Sequence, residues 1–299
     1  MRTRVLALAG VLLTAGCGST SSHPSASSGT LKALAQQQGR SSIALTPGDA
    51  DFSPGPIRFS FLVISKDGRP IAKPTASIWI SRGFKRKPYD RSVAHLEEVG
   101  VRGLSAGPVP SIYVTKVQAP RPGTYWILAQ PHGSKVSALG NLVVRLHSYS
   151  EAVGALAPES DTPTLTTSHG KLAPLTTSTH PDRNLYTTSV AQALAAHEPF
   201  VVTFATPKFC TSRTCGPVVD VVSKVRQELA NTPVRFMHVE VYKGNNPANG
   251  YNRWMREWGL ESEPWVFLVG RDGRIKAKFE GSVSVGELRD SVESTLLNE

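Results

Sequence analysis

Cysteine is scarce, with three in 299 residues: Cys17, Cys210 and Cys215. That leaves room for one intramolecular disulfide and excludes a disulfide-rich framework. Long apolar runs are missing too. The longest, Val5 to Leu13, is too short to cross a bilayer as a helix. Acidic residues are outnumbered, 23 against 33 basic ones, for a net charge of +10. Such an excess suits an anionic surface or an acidic partner. No groove-reading or base-stacking motif accompanies it, so the charge does not indicate nucleic acid. His169 and His180 stand far apart without cysteine neighbours, so no metal and no other cofactor is indicated. What the chain does have is 22 prolines, 25 glycines and 40% hydrophobic residues. That is a turn-rich globular composition, at a length that holds two ordinary domains with connectors.

Residues 1–16 read as an export signal: Arg2 and Arg4, the apolar Val5 to Leu13, then the small Thr14-Ala15-Gly16 before Cys17. Small residues ending in Gly-Cys resemble a bacterial lipobox, although Thr14 stands where leucine is usual. The resemblance implies that Cys17 is lipidated and that the mature chain sits on the outer face of the cell membrane. Residues 17–48 then form a tether, serine-dominated from Gly18 to Gly29 and expected to be flexible.

From 49 to 146 the pattern is of short strands. Arg58 to Ser65 alternates and meets Lys66-Asp67-Gly68-Arg69, a hairpin signal. Ala76 to Ser81, Ser111 to Val117, Thr124 to Ala129 and Asn141 to Leu146 follow. Strands at this spacing without helices between them predict an all-β sandwich, and Pro122-Gly123-Thr124-Tyr125-Trp126 resembles late strands of immunoglobulin-like domains. The basic loop Arg82, Lys85, Arg86, Lys87 and Arg91 is a solvated loop or a contact for a lipid headgroup or acidic partner. Residues 147–184, rich in Thr, Ser, Pro and Ala without periodicity, read as a linker.

The last block, 185–299, alternates helices and strands. Ser189 with Gln192 is a capping-box pattern, and Phe200 to Phe204 is a buried strand. A loop carrying Cys210 and Cys215 opens into a helix with Val218, Val222, Val225 and Leu229 on one face. Val234 to Val241 is a strand, and Tyr251, Met255 and Trp258 share a helical face. Trp265 to Val269 and Ile275 to Phe279 form a hairpin about Asp272-Gly273, and Ser284 with Glu287 caps a final helix. This order predicts a mixed sheet with helices on both faces. A sulfur at a helix N-terminus is held as thiolate by free N–H groups and the helix dipole.

Four features of residues 185–299 resemble the thioredoxin family: Phe209-Cys210, Cys215-Gly216-Pro217, the stretch Gly259 to Pro264 before Trp265-Val266-Phe267-Leu268, and the Asp272-Gly273 hairpin with its final helix. The resemblance implies a multidomain chain, an immunoglobulin-like β-sandwich followed by an α/β thioredoxin-like domain. It also implies that Pro264 is a cis-proline shaping a substrate groove and that Glu263 faces the sulfurs and handles protons. The chain departs from that family in three places. Four residues separate the cysteines rather than two, Val218 stands where one alignment expects a cysteine, and Thr203 replaces the buried aspartate.

With Cys17 lipidated, Cys210 and Cys215 remain as a disulfide in an oxidising compartment. One reading is a redox pair that exchanges with thiols or disulfides of exported proteins. A second is a structural disulfide in a binding module. A third, minor one is copper handling, for which two thiolates and an imidazole are suited. The helix end favours Cys215 as the reactive thiol and loop exposure favours Cys210. His238 reads as a satisfied sheet histidine.

Overall fold

The computed structural model describes residues 29–36, 41–105 and 110–298. Cys17 and the stretch 1–16 read as an export signal lie outside the described residues. A short helix α1 (Leu31–Ala35) is capped by Thr30, whose side chain accepts from the Ala33 amide. It is followed by β1 (Ser41–Pro47), β2 (Gly55–Val63), β3 (Thr75–Ser81), β4 (Asp90–Glu98), β5 (Ser111–Ala119), β6 (Gly123–Pro131) and β7 (Val136–Val144). These strands close into a barrel in the order β1-β2-β5-β4-β3-β6-β7.

The sandwich expectation is therefore corrected: there are not two stacked sheets but one sheet closed on itself. The closing strand is β1, antiparallel to β2 (Leu45 opposite Val63) and parallel to β7 (Ser41 opposite Val136). It lies within the stretch read as tether, because only Leu45 of its seven residues is buried and its outward side chains are polar. The charged β4 was likewise not expected as a strand, yet it bridges β3 and β5. The turn at Asp67-Gly68 forms, with Gly68 at φ 78°, but after the Ile64–Pro70 bridge the chain leaves β2 and β3 pairs with β4 and β6. Alternation fills the lumen. Ile57, Phe59, Phe61 and Val63 point inward, and Phe59, Phe61 and Tyr113 stack at 5.4 and 5.2 Å between centroids.

The second unit holds α2 (Val190–Ala195), β8 (Phe200–Phe204), α3 (Cys215–Glu228), β9 (Arg235–Val239), α4 (Arg253–Glu257), β10 (Trp265–Val269), β11 (Ile275–Glu280) and α5 (Val285–Val292). Its sheet runs β11-β10-β8-β9, with β8 and β9 parallel and the other pairs antiparallel. The expected α/β class is corrected here as well. Only α3 reaches 14 residues, α2 and α4 have six and five, and strands dominate the described chain. Val218, Val222 and Val225 bury against the sheet because they recur on one side of α3. The Ser189–Gln192 capping box forms in full. At α5 only half of one does: Ser284 accepts from the Glu287 amide, while Glu287 turns outward to Arg58 of the barrel.

Residues 147–184 contain neither strand nor α-helix but lie against the second unit. Ser160 donates to Glu257, and the Thr177 amide and hydroxyl both donate to Glu240. The barrel is seated through β2, β4 and the loop between β1 and β2. The Arg58 guanidinium donates twice to Glu287 (2.6 and 2.9 Å) and to the Ser282 carbonyl, and meets Asp49 at 3.3 Å. Amides of Ala50 and Asp51 donate to Glu280 at 2.7 Å, and Ser284 donates to Glu97.

Candidate functional site

Strand β8 is buried along its whole length, so the chain has to leave the sheet at Ala205 and Thr206 before polar residues can reach water. It does so in a tight turn, where the Thr206 carbonyl accepts from the amides of Phe209 and Cys210. A second turn, with Arg213 at φ 59°, brings the chain to Thr214 and the start of α3. Cys215 is the first residue of that helix and is fully buried among Val218, Val219 and Val222. Cys210 is only partly buried. The two form a disulfide with Cα atoms 5.9 Å apart. The Cys215 amide donates to Cys210 Sγ at 3.3 Å, and Ser212 Oγ lies 3.1 Å from the same sulfur. Thus the helix N-terminus serves Cys210 although Cys210 lies outside the helix. The two sulfurs therefore differ in exposure and in hydrogen bonding.

The register of β8 with β10 pairs Phe204 with Trp265. Pro264, just before Trp265, therefore lies at the same end of the sheet as the cysteine loop, and the Glu263–Pro264 peptide bond is cis. Glu263 is half-buried. Burial pushes its carboxyl up from the ordinary value, while hydrogen bonds from Tyr251 (2.8 Å) and Tyr242 oppose that. These two rings stack at 5.4 Å. The partners of Glu263 are thus phenols, and the contact with sulfur implied by the family resemblance is not among them.

His238 on β9 is fully buried. Its Nε2 lies 3.0 Å from the Ala205 carbonyl and so must donate, which leaves Nδ1 to accept from the Tyr186 hydroxyl at 2.7 Å. Burial pushes its pKa down, so the ring is neutral. Both nitrogens are committed, and His238 offers no third ligand to the cysteines. Among the described residues no three His, Cys, Asp or Glu side chains gather as a metal site requires. Thr203, in place of the family's acid, is buried with its hydroxyl unpartnered among the described residues.

Two contributors escaped the sequence reading. Glu240, buried just beyond β9, accepts from Thr177, whose Oγ1 accepts from the Lys208 amide at 3.1 Å. That chain of bonds pins the loop two residues before Cys210. The only signal in the sequence was a carboxylate closing the apolar run Phe236-Met237-His238-Val239. The second contributor is the barrel loop 99–105. Ser105 donates to Asp220 on α3 at 2.7 Å, and Val101 packs on the same core as Cys215. Gly100 approaches so closely that a Cβ there would sit 3.0 Å from Pro217 Cβ. Nothing local in 99–105 announces this contact. A cleft of about 360 Å³ is lined by Leu175, His238, Glu240, Lys243, Trp254 and Arg256.

No family model matches the chain, and no curated protein matches it. Among solved structures, a thiol:disulfide interchange protein of the thioredoxin family from Chlorobium tepidum TLS is similar. Identity is 15% and the TM-score 0.34, over 49% of this chain and 99% of that one. A likeness at that level carries nothing about activity.

Proposed function

We propose that this chain is a lipid-anchored extracytoplasmic protein of thioredoxin-like character that exchanges disulfides with exported proteins through Cys210 and Cys215. The observation that carries this reading is a disulfide whose inner sulfur starts a helix and whose outer sulfur is partly open to solvent. A substrate thiolate attacks Cys210 Sγ, the one it can reach. The Cys210–Cys215 bond breaks, and its electron pair leaves on Cys215 at the positive end of α3. A second substrate thiolate then attacks the substrate sulfur of the mixed disulfide, so the substrate disulfide forms and Cys210 leaves as thiolate. One protein disulfide is reduced, two substrate thiols are oxidised, and the two cysteines take up two protons. The reverse sequence reduces a substrate disulfide by the same bonds. In this reading Pro264, at the same end of the sheet as the cysteine loop, shapes the substrate groove.

Thr203 favours a second reading, a binding module whose disulfide is a staple: its unpartnered hydroxyl supplies no base to the buried sulfur. A redox titration of the unlipidated chain (residues 18–299), with thiol trapping at each potential, separates the two. Exchange requires both thiols to appear reversibly well above about −300 mV, with Cys210 alkylated before Cys215. A bond intact down to that potential in the folded protein leaves only the staple.

A further inference from the structure

We propose that the barrel wall opposite the second unit is a docking face for an anionic phospholipid bilayer. Helix α1 lies on the outside of the barrel, with Leu31 and Leu34 packed against Trp79 of β3 and Leu128 of β6. Two backbone bonds fix it to the basic loop after β3: the Leu31 amide donates to the Arg86 carbonyl at 2.9 Å, and the Lys32 amide to the Phe84 carbonyl at 2.8 Å. The guanidinium of Arg82 stacks 4.5 Å over Tyr125 and donates to the Arg121 and Pro122 carbonyls, which adds the β5–β6 turn to the cluster. Arg91 lies 5.1 Å over Trp79. Lys32, Arg82, Lys85, Arg86, Lys87, Arg91 and Arg121 are thereby collected on one face, all exposed. None of them pairs with a described carboxylate across an ion-pair distance. Asp90, whose Oδ1 accepts from the Arg91 amide, is the one acid within 30–36, 82–91 and 119–123.

Two further observations select a bilayer over a soluble acidic partner. Tyr89, the last residue of the basic loop before β4, is 45% exposed, and Phe84 of the same loop stacks on Trp126, which is the amphipathic mixture that settles at headgroup level. The chain also enters the described structure at this face. Cys17 lies thirteen residues before Thr30, and even fully extended those residues reach no more than about 45 Å. That reach alone depends on the lipid-anchor reading. The barrel order places β3 and β6 across the lumen from β2, where Arg58 anchors the second unit, while β4 runs from Arg91 on the basic face to Glu97 at the second unit.

The test is vesicle co-sedimentation of the unlipidated chain (residues 18–299), so that a failure of Cys17 lipidation, read separately by acyl labelling, does not enter. Vesicles of phosphatidylcholine with about a third phosphatidylglycerol should bind the protein, and pure phosphatidylcholine should not. Raising the salt from 0.1 to 0.5 M should abolish binding, since exposed charges are screened. The triple variant Lys85→Glu/Arg86→Glu/Lys87→Glu should bind on the order of 100-fold more weakly with an unchanged circular dichroism spectrum. The control Lys66→Glu/Lys171→Glu/Lys224→Glu, away from this face, should bind as wild type. Equal binding to both vesicle types, or no loss in the triple variant relative to the control, overturns the proposal. So does full competition by millimolar inorganic phosphate, which marks a small-anion site, or tighter capture by soluble polyglutamate, which reassigns the face to an acidic protein.

Discussion

Replacing Arg58 by alanine should unseat the barrel from the second unit, and the size of the effect follows from what is left behind. The guanidinium is mostly buried, with 14% side-chain exposure, against 5% for Asp49 and 20% for Glu287. It makes two hydrogen bonds to Glu287, one to the Ser282 carbonyl and a longer one to Asp49. Removing one partner of a buried pair costs about 3–5 kcal/mol, because the other charge stays buried unpaired. Glu287 retains some water, which places the expected loss near about 3 kcal/mol. At about 2–4 °C per kcal/mol for a chain of this order, the melting temperature should fall by about 6–12 °C. Thermal unfolding followed by tryptophan fluorescence reads both units, since Trp79 and Trp126 report the barrel and Trp258 and Trp265 the second sheet. A companion variant sharpens the reasoning. Arg58→Met/Glu287→Met at pH 6, where Asp49 is largely protonated, removes both charges and should recover most of the loss. A shift under about 2 °C for Arg58→Ala, or a double variant no better than the single one, would refute the account of an uncompensated charge.

Burial pushes the Asp49 carboxyl up to about 7, against the pull of Arg58 and the Ser60 amide. A carboxyl that holds its proton more tightly when folded makes the protein lose stability as pH rises from its unfolded value near 4 to about 7. Asp49→Asn should therefore gain on wild type between pH 5 and about pH 7 in urea titrations and level off above that, and a difference independent of pH would rule Asp49 out as the titrating group. Gly281, at φ 71°, faces the Gly48 carbonyl so closely that a Cβ would fall 2.3 Å from its oxygen. Gly281→Ala should lower the melting temperature by several degrees and raise proteolysis between the units, whereas Gly273→Ala, at a similar φ but facing only side-chain carbons, should pay the backbone cost alone. Equal losses in the two variants would show that the close approach at Gly281 is immaterial.

Local pattern sufficed for much of this molecule. The Phe200–Phe204 strand, the cysteine loop, the valine face of α3 and the turns at Gly68 and Gly273 are written in periodicity and in residues that only a few backbone shapes tolerate, so short windows betray them. The proximity of Cys210 and Cys215 likewise follows from five positions of chain. Barrel closure was decided elsewhere. β1 shows a polar outer face and one buried residue, and it becomes a strand only because β2 and β7 offer it two free edges. The same holds for the assignment of Cys210 as the open sulfur, which depends on how deeply α3 sinks into its core. It holds also for Glu240, Ser105 and Arg58, whose partners lie 63, 115 and 229 residues away. A residue's propensities act over a turn or two of chain, whereas burial and ion pairing depend on whatever folding happens to bring alongside, and no local window contains that.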